Sequence, residues 1–214
     1  MTLREQIAEA QSAAKSIPEN IQRIMTNATT ALFESGIVDA VPGVGDILPD
    51  FQLTDQNGEQ QSLTGLLVEG KAVVTFYRGG WCPYCNLQLR AYQAVLGEID
   101  AAGATLVAIT PELPDASLST AEKNALGFHV LSDPGSTYLR QLGLVFSLPD
   151  DLRAIYAGAG LDLEAHNGAG QFDLPLAATY IVATNGEIVS AFVDADYTKR
   201  QEPAEILEVL RSLT

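Results

Sequence analysis

Apolar positions divide the chain into a helical opening and an alternating remainder. Leu3, Ile7, Ala10 and Ala14 fall on one face at helical spacing, and Ile21, Ile24, Met25, Ala28 and Leu32 form a second stripe. Pro18 restarts the pattern at a first-turn position and Gly36 supplies a C-terminal stop. Residues 1–45 therefore read as a helical extension, either a hairpin that covers the main domain or an arm that meets a second copy. From residue 46 to 214 short apolar runs alternate with helical patterns. Residues 51–54 and 59–63 flank Asp55-Gln56-Asn57-Gly58, a hairpin signal; residues 179–183 and 187–193 flank Thr184-Asn185-Gly186, a second one. Residues 72–77 and 104–110 are continuous apolar runs of the buried-strand kind, the second closed by Pro111.

Helical spacing of Leu87, Leu89, Tyr92, Val95, Leu96 and Ile99 predicts a helix after the first buried strand. Ser119-Thr120-Ala121-Glu122 fits a capping box for a helix running through Leu126. Residues 128–131 read as a short strand and 136–142 as a short helix. Pro203 opens a last helix with Ile206, Leu207, Val209 and Leu210 on its apolar side. Such alternation predicts an α/β domain with a mainly parallel sheet covered on both faces. His129, inside a strand, reads as a packed or edge residue without a partner. Residues 145–178 break the rhythm, with Gly158, Gly160, Gly168 and Gly170 among acidic residues and no clear period. They read as a long loop carrying solvated Asp162 and His166, or as a lid beside the reactive site.

Charge narrows the partners. A formal net charge of −15 repels phosphate and anionic lipid, so neither nucleic acid nor membrane is expected. No apolar run nears the roughly 20 residues that span a bilayer. The first residues lack the apolar core of a signal peptide, which points to the cytoplasm, where thiols stay reduced unless they cycle.

The chain's two cysteines, Cys82 and Cys85, stand three positions apart between a buried strand and a helix. A C-x-x-C at that junction is the thioredoxin-like redox arrangement: the helix start offers free N–H groups and a positive dipole end, and both stabilise a thiolate. Zinc would need four ligands, and only the distant His129 and His166 remain. A purely structural disulfide would close a tiny loop and contribute little.

Several stretches together resemble the peroxiredoxin-like branch of the alkyl hydroperoxide reductase and thiol-specific antioxidant family. They are Gly45-Asp46, Pro49-Asp50-Phe51 and Gly58; the run Phe76-Tyr77-Arg78-Gly79-Gly80-Trp81-Cys82-Pro83-Tyr84-Cys85; Gly103-Ala104 with Val107-Ala108-Ile109; Leu131-Ser132-Asp133; and Asp196-Tyr197-Thr198-Lys199-Arg200 leading to Glu202-Pro203. The resemblance implies a thioredoxin fold, a central mixed sheet flanked by helices, and thiol-based reduction of peroxides. Registered on Phe76-Tyr77, the family's peroxide-attacking cysteine falls on Cys85; registered on thioredoxins, Cys82 attacks and Cys85 resolves. The order of attack stays open at this point. The family's arginine before the penultimate strand falls at Ala177, where thioredoxins have a cis-proline, and the buried acid of thioredoxins falls at Thr75.

Three functions fit these residues. The first is a thiol peroxidase cycling Cys82 and Cys85 through a disulfide, with Arg78 and Arg200 as supporting cations and Trp81, Pro83 and Tyr84 as neighbours. It would reduce hydrogen peroxide or alkyl hydroperoxides, with a thioredoxin, a glutaredoxin or glutathione as reductant. The second is a protein disulfide oxidoreductase, since Cys-Pro-Tyr-Cys is also the glutaredoxin tetrad, with Trp81 and Tyr84 as a docking platform. The third is a non-enzymatic redox sensor. No metal, flavin or nucleotide is expected, because no phosphate-binding glycine motif follows a strand. A homodimer stays open.

Overall fold

The computed structural model describes residues 1–13 and 16–213; Ala14 of the first stripe lies outside them. Helices α1 (Leu3–Ala13) and α2 (Glu19–Glu34) open the chain. Leu3 and Ile7 of α1 sink into the main core, whereas α2 has no fully buried residue and packs through Ile24, Met25 and Ala28 on a smaller cluster around Leu148 and Leu152. No helix among the described residues is long and apolar enough to cross a membrane.

Strands β1 (Gln52–Asp55) and β2 (Gln60–Ser62) form the first hairpin, followed by α3 (Leu63–Glu69) and β3 (Lys71–Phe76). After the cysteine loop come α4 (Pro83–Ala94), α5 (Leu96–Ala101), β4 (Ala104–Thr110), α6 (Pro114–Lys123), β5 (His129–Ser132) and α7 (Thr137–Gln141). β6 (Val145–Ser147), α8 (Asp150–Gly158), α9 (Leu163–Asn167) and β7 (Asp173–Pro175) precede the second hairpin, β8 (Ala177–Val182) with β9 (Ile188–Asp194), and α10 (Pro203–Ser212) closes the chain. The seven-stranded sheet runs β2-β1-β5-β4-β3-β8-β9. Only β3–β4 and β4–β5 are parallel; the other four pairings are antiparallel. The sheet is thus the mixed one that the resemblance implies, and not the mainly parallel one that alternation alone predicts. Both flanks are hairpins, whose two-stranded turns dictate antiparallel pairing.

β3 explains the placement of the core. Its residues Ala72 to Phe76 are fully buried, and alternate side chains enter opposite layers. Val73 joins the layer holding α1, α4 and α10; Ala72, Val74 and Phe76 join the layer under α3 and α7.

Four local readings change. The helix after the cysteines breaks at Val95 (φ −112°, ψ 10°), giving α4 and α5. α6 begins at Pro114, after an extended Leu113, so Ser119 and Thr120 lie inside the helix and cap nothing. Pro at the first turn, which needs no N–H there, outcompetes the capping-box pattern. His129 has a partner after all: its Nδ1 lies 2.9 Å from Asp55 Oδ2 across the β1–β5 pairing. Finally, residues 145–178 are an ordered two-stranded, two-helix insert, with Leu148, Leu152, Leu163 and Leu174 as its own small core.

Candidate active site

The loop from β3 to α4 is shaped by two glycines. Gly79 takes φ 146°, a region that disfavours other residues, and a side chain there would strike the Trp81 indole. A side chain on Gly80 would strike Thr120. The Gly80 amide donates to Glu112 Oε2 (3.0 Å), and Asn86 Nδ2 donates to the Gly80 carbonyl (2.7 Å), so the peptides on either side of Gly80 are both fixed. Cys82 is then the N-cap of α4, Pro83 its first residue, and Cys85 lies within the first turn, where helix amides are unpaired.

Both cysteines are reduced and buried, Cys82 2 % and Cys85 0 % exposed. Their environments differ. Burial alone would raise the Cys85 pKa, but the Cys82 S–H, the Arg200 guanidinium and the Arg78 backbone N–H all donate to its sulfur, and the Arg78 charge adds to them. The balance sets Cys85 well below an ordinary thiol. Cys82 is pushed up, by the proton it donates to Cys85 and by burial. Cys85 is thus the more acidic thiol of the pair. Arg200 Nη2 stands 3.4 Å from the Cys85 sulfur, and Arg200 is only 7 % exposed.

Arg78 is 3 % exposed and has no carboxylate in ion-pair range among the described residues. It is held by aromatics instead. Its guanidinium carbon lies 4.6 Å from the Tyr197 ring centre, 5.1 Å from Trp81 and 5.9 Å from Tyr156, and Nη2 donates to the Tyr156 hydroxyl at 2.7 Å. Tyr84 is buried and edge-on to Tyr197, and Trp81 is half-buried against Tyr156, so neither forms an open platform; Pro83 alone of the neighbours is exposed.

Glu112, fully buried at the end of β4, was not singled out by sequence reading. Burial pushes its pKa up to about 7, against the opposing Gly80 amide. Its Oε1 lies 3.0 Å from His166 Nδ1, and burial pushes the imidazole below its ordinary value. His166 is therefore not a solvated loop residue, while Asp162 is exposed and caps α9 through the Ala165 amide. A charged residue just past the C-terminal end of a buried parallel strand sits where open α/β sheets place their chemistry, and that position could have flagged Glu112. Tyr156 and Tyr197 carry no such signal. Beneath the cysteines, Gln88 Nε2 donates to Thr75 Oγ1 (2.9 Å), Thr75 and Thr179 hydroxyls meet at 2.9 Å, and Tyr92 donates to the Gln201 carbonyl at 3.1 Å, next to Arg200.

Comparison with known proteins agrees with this architecture. A family model described as the AhpC/TSA family matches residues 44–191. Peroxiredoxin Bcp of Escherichia coli (strain K12) is 34% identical over 100 residues, 47% of this chain and 64% of that protein, so the match spans just under two thirds of the relative. Chloroplastic peroxiredoxin Q of Sedum lineare is 28% identical over 170 residues, covering 79% of this chain and 78% of the relative. The crystal structure of peroxidoxin BcpB from Mycobacterium tuberculosis superposes on 80% of this chain and 98% of its own with a TM-score of 0.64 and 21% identity. That likeness is one of fold, the thioredoxin fold of peroxiredoxins. The family match includes both cysteines, Arg78 and Glu112 and leaves α1, α2 and Arg200 outside it. The chain belongs to the AhpC/TSA family.

Proposed function

We propose that the protein is a peroxiredoxin-type thiol peroxidase in which Cys85 attacks and Cys82 resolves. The observation that carries the assignment is the Cys85 sulfur, met by the Arg200 guanidinium, the Arg78 amide and the Cys82 thiol. The Cys85 thiolate attacks the terminal oxygen of a hydroperoxide. An S–O bond forms, the O–O bond breaks, and the leaving oxygen takes a proton to depart as water or alcohol. Arg78 and Arg200 stabilise the charge that moves from sulfur to oxygen. Cys82, having lost its proton, then attacks the Cys85 sulfenic acid; an S–S bond forms and hydroxide leaves as water. An external dithiol, a thioredoxin or glutaredoxin, or two molecules of glutathione return the pair to thiols by exchange.

Substrates are hydrogen peroxide or alkyl hydroperoxides; a structural relative from Xanthomonas campestris is described by its alkyl peroxide reduction activity. Residues 46–214 form the catalytic domain and 1–45 its helical extension, in a cytoplasmic protein. Disulfide exchange through Cys82 as first nucleophile is less well supported, since Cys82 is the member of the pair whose acidity is weakened, by the proton it donates to Cys85 and by burial.

The test is intact mass and peroxide consumption after brief hydrogen peroxide treatment. Wild type should lose 2 Da, the two protons of a disulfide, on the order of seconds. Cys82→Ser should stop at a sulfenic acid on Cys85, while Cys85→Ser should consume no peroxide beyond the rate of a free thiol. A sulfenic acid trapped on Cys82 in Cys85→Ser would reverse the assignment, and slow oxidation of wild type would turn the reading to disulfide exchange.

A further inference from the structure

An apolar cavity of about 250 Å³ opens between α2 and α8 and ends on Arg78. Met25, Ala28 and Leu32 of α2 face Leu152 and Tyr156 of α8 across it. Its α2 wall lies outside the matched family residues, so the cavity belongs to this chain's own helical extension.

The charge at its closed end is not balanced. Two buried guanidiniums, Arg78 and Arg200, serve one thiolate, and Arg200 makes the direct contact with it. Glu112, the buried carboxyl of the site, is engaged by Gly80 and His166. Arg78 keeps a buried Nε without a hydrogen-bond partner; a tyrosine hydroxyl and three ring faces surround its guanidinium, and the Cys85 sulfur, which it also acts on, is in direct contact with Arg200 instead. A buried cation in that position favours an anion strongly. The walls are mainly apolar, with the Thr29, Ser35 and Ser147 hydroxyls among them. A dry cavity of about 150 Å³ holds benzene, so this one holds about ten carbon atoms by the same scale.

We propose that this cavity is a binding site for a medium-chain aliphatic monocarboxylate, its hydrocarbon between α2 and α8 and its carboxylate on Arg78 and the Tyr156 hydroxyl. Two guanidiniums then face one thiolate and one carboxylate. The site is filled without any redox step, so its occupancy is measured on the reduced protein and stands or falls separately from peroxidase activity.

Trp81, the chain's one tryptophan, lies 5.1 Å from the Arg78 guanidinium carbon and 5.8 Å from the Tyr156 ring, and reports on the closed end of the cavity. Reduced protein is titrated with decanoate, decanol and decyltrimethylammonium, each below its micelle concentration, while Trp81 fluorescence is followed. Decanoate should give a saturable change, decanol should bind about tenfold or more weakly for want of the charged hydrogen bond, and the cation should not bind. Ala28→Phe and Thr29→Phe, each filling the cavity from α2, should weaken decanoate about tenfold or more while peroxide consumption and circular dichroism stay as in wild type. No saturation by decanoate overturns the site. Equal affinity for decanol overturns the carboxylate, and undiminished decanoate binding in either folded variant overturns the location.

Discussion

Cys85 and Glu112 flank the same loop, are equally buried, and end up on opposite sides of their ordinary acidities. Desolvation disfavours both anions. What differs is the donors. Cys85 has a helix start, a guanidinium in contact, a second guanidinium nearby, a backbone amide and a neighbouring thiol. Glu112 has one backbone amide, the Thr120 hydroxyl and an imidazole whose charged form burial disfavours, with the Cys85 charge working against it. Burial therefore does not decide which group carries the charge; the count of positive and N–H donors does. The loop between them, fixed by Gly79 and Gly80, keeps the two apart while coupling their fields.

Removing the contacting cation is the most severe test of that contrast. Arg200→Met keeps an unbranched apolar stem and withdraws the direct donor to the sulfur. The thiolate absorbance of Cys85 should then titrate about 1–3 pH units higher, the usual effect of one close charge. Peroxide consumption at neutral pH should fall about a hundredfold, since both the thiolate and the stabilised leaving oxygen are lost. An unmoved titration midpoint would mean that the helix start and Arg78 suffice, and the donor count would have to be rewritten.

Glu112 supplies the opposite sign. Its folded pKa of about 7 lies above the unfolded value of about 4.3, so only the folded protein holds the proton between them. Stability from this group is complete below about pH 4.3, falls as pH rises through that window, and is level above about pH 7, a loss of about 3–4 kcal/mol. Cys85 works the other way: its folded pKa is depressed, so its contribution is complete above the unfolded thiol value of about 8.5 and is lost as pH falls through the folded one. The two slopes oppose each other in wild type. Glu112→Gln keeps an acceptor for the Gly80 amide and removes one of them. Urea unfolding should find the variant as stable as wild type near pH 4.5 and about 2–3 kcal/mol more stable at pH 8. Parallel pH profiles for the two proteins would show that Glu112 ionises as an ordinary carboxyl.

The two sides of the loop were also unequally legible in the sequence. Phe76-Tyr77-Arg78 and the C-x-x-C disclose a buried strand, a helix start and a redox pair, because local spacing and helix-end electrostatics carry that information. Cys85, Cys82, Arg78 and Arg200 do converge, although Arg200 lies 115 positions from the sulfur it touches. Glu112, His166 and Tyr156 reach the site only through tertiary packing. Residues 145–178 look aperiodic because short helices and three-residue strands are too brief to establish a period. The sheet's mixed sense follows from which hairpin lies beside which central strand, a property of long-range pairing that alternation does not encode.

The smallest expected effect concerns how Arg200 is held. Tyr92 is fully buried, and its hydroxyl donates to the carbonyl of Gln201 while accepting from Gln88 Nε2 at 3.2 Å. It thus ties α4, which carries Cys85, to the segment that carries Arg200. Tyr92→Phe keeps the ring in its layer and leaves the Gln201 carbonyl short of its donor, while Gln88 Nε2 keeps Thr75 Oγ1, a cost of about 1–2 kcal/mol in chemical denaturation. If the tie also sets the distance between guanidinium and sulfur, the Cys85 midpoint should rise by less than one unit, about a third of the change in Arg200→Met. The pH window that Glu112→Gln abolishes should stay where it is, since Tyr92 does not touch that carboxyl. Loss of stability with an unmoved Cys85 midpoint would show that Arg200 finds the sulfur by charge alone, and that Tyr92 serves packing rather than the thiolate.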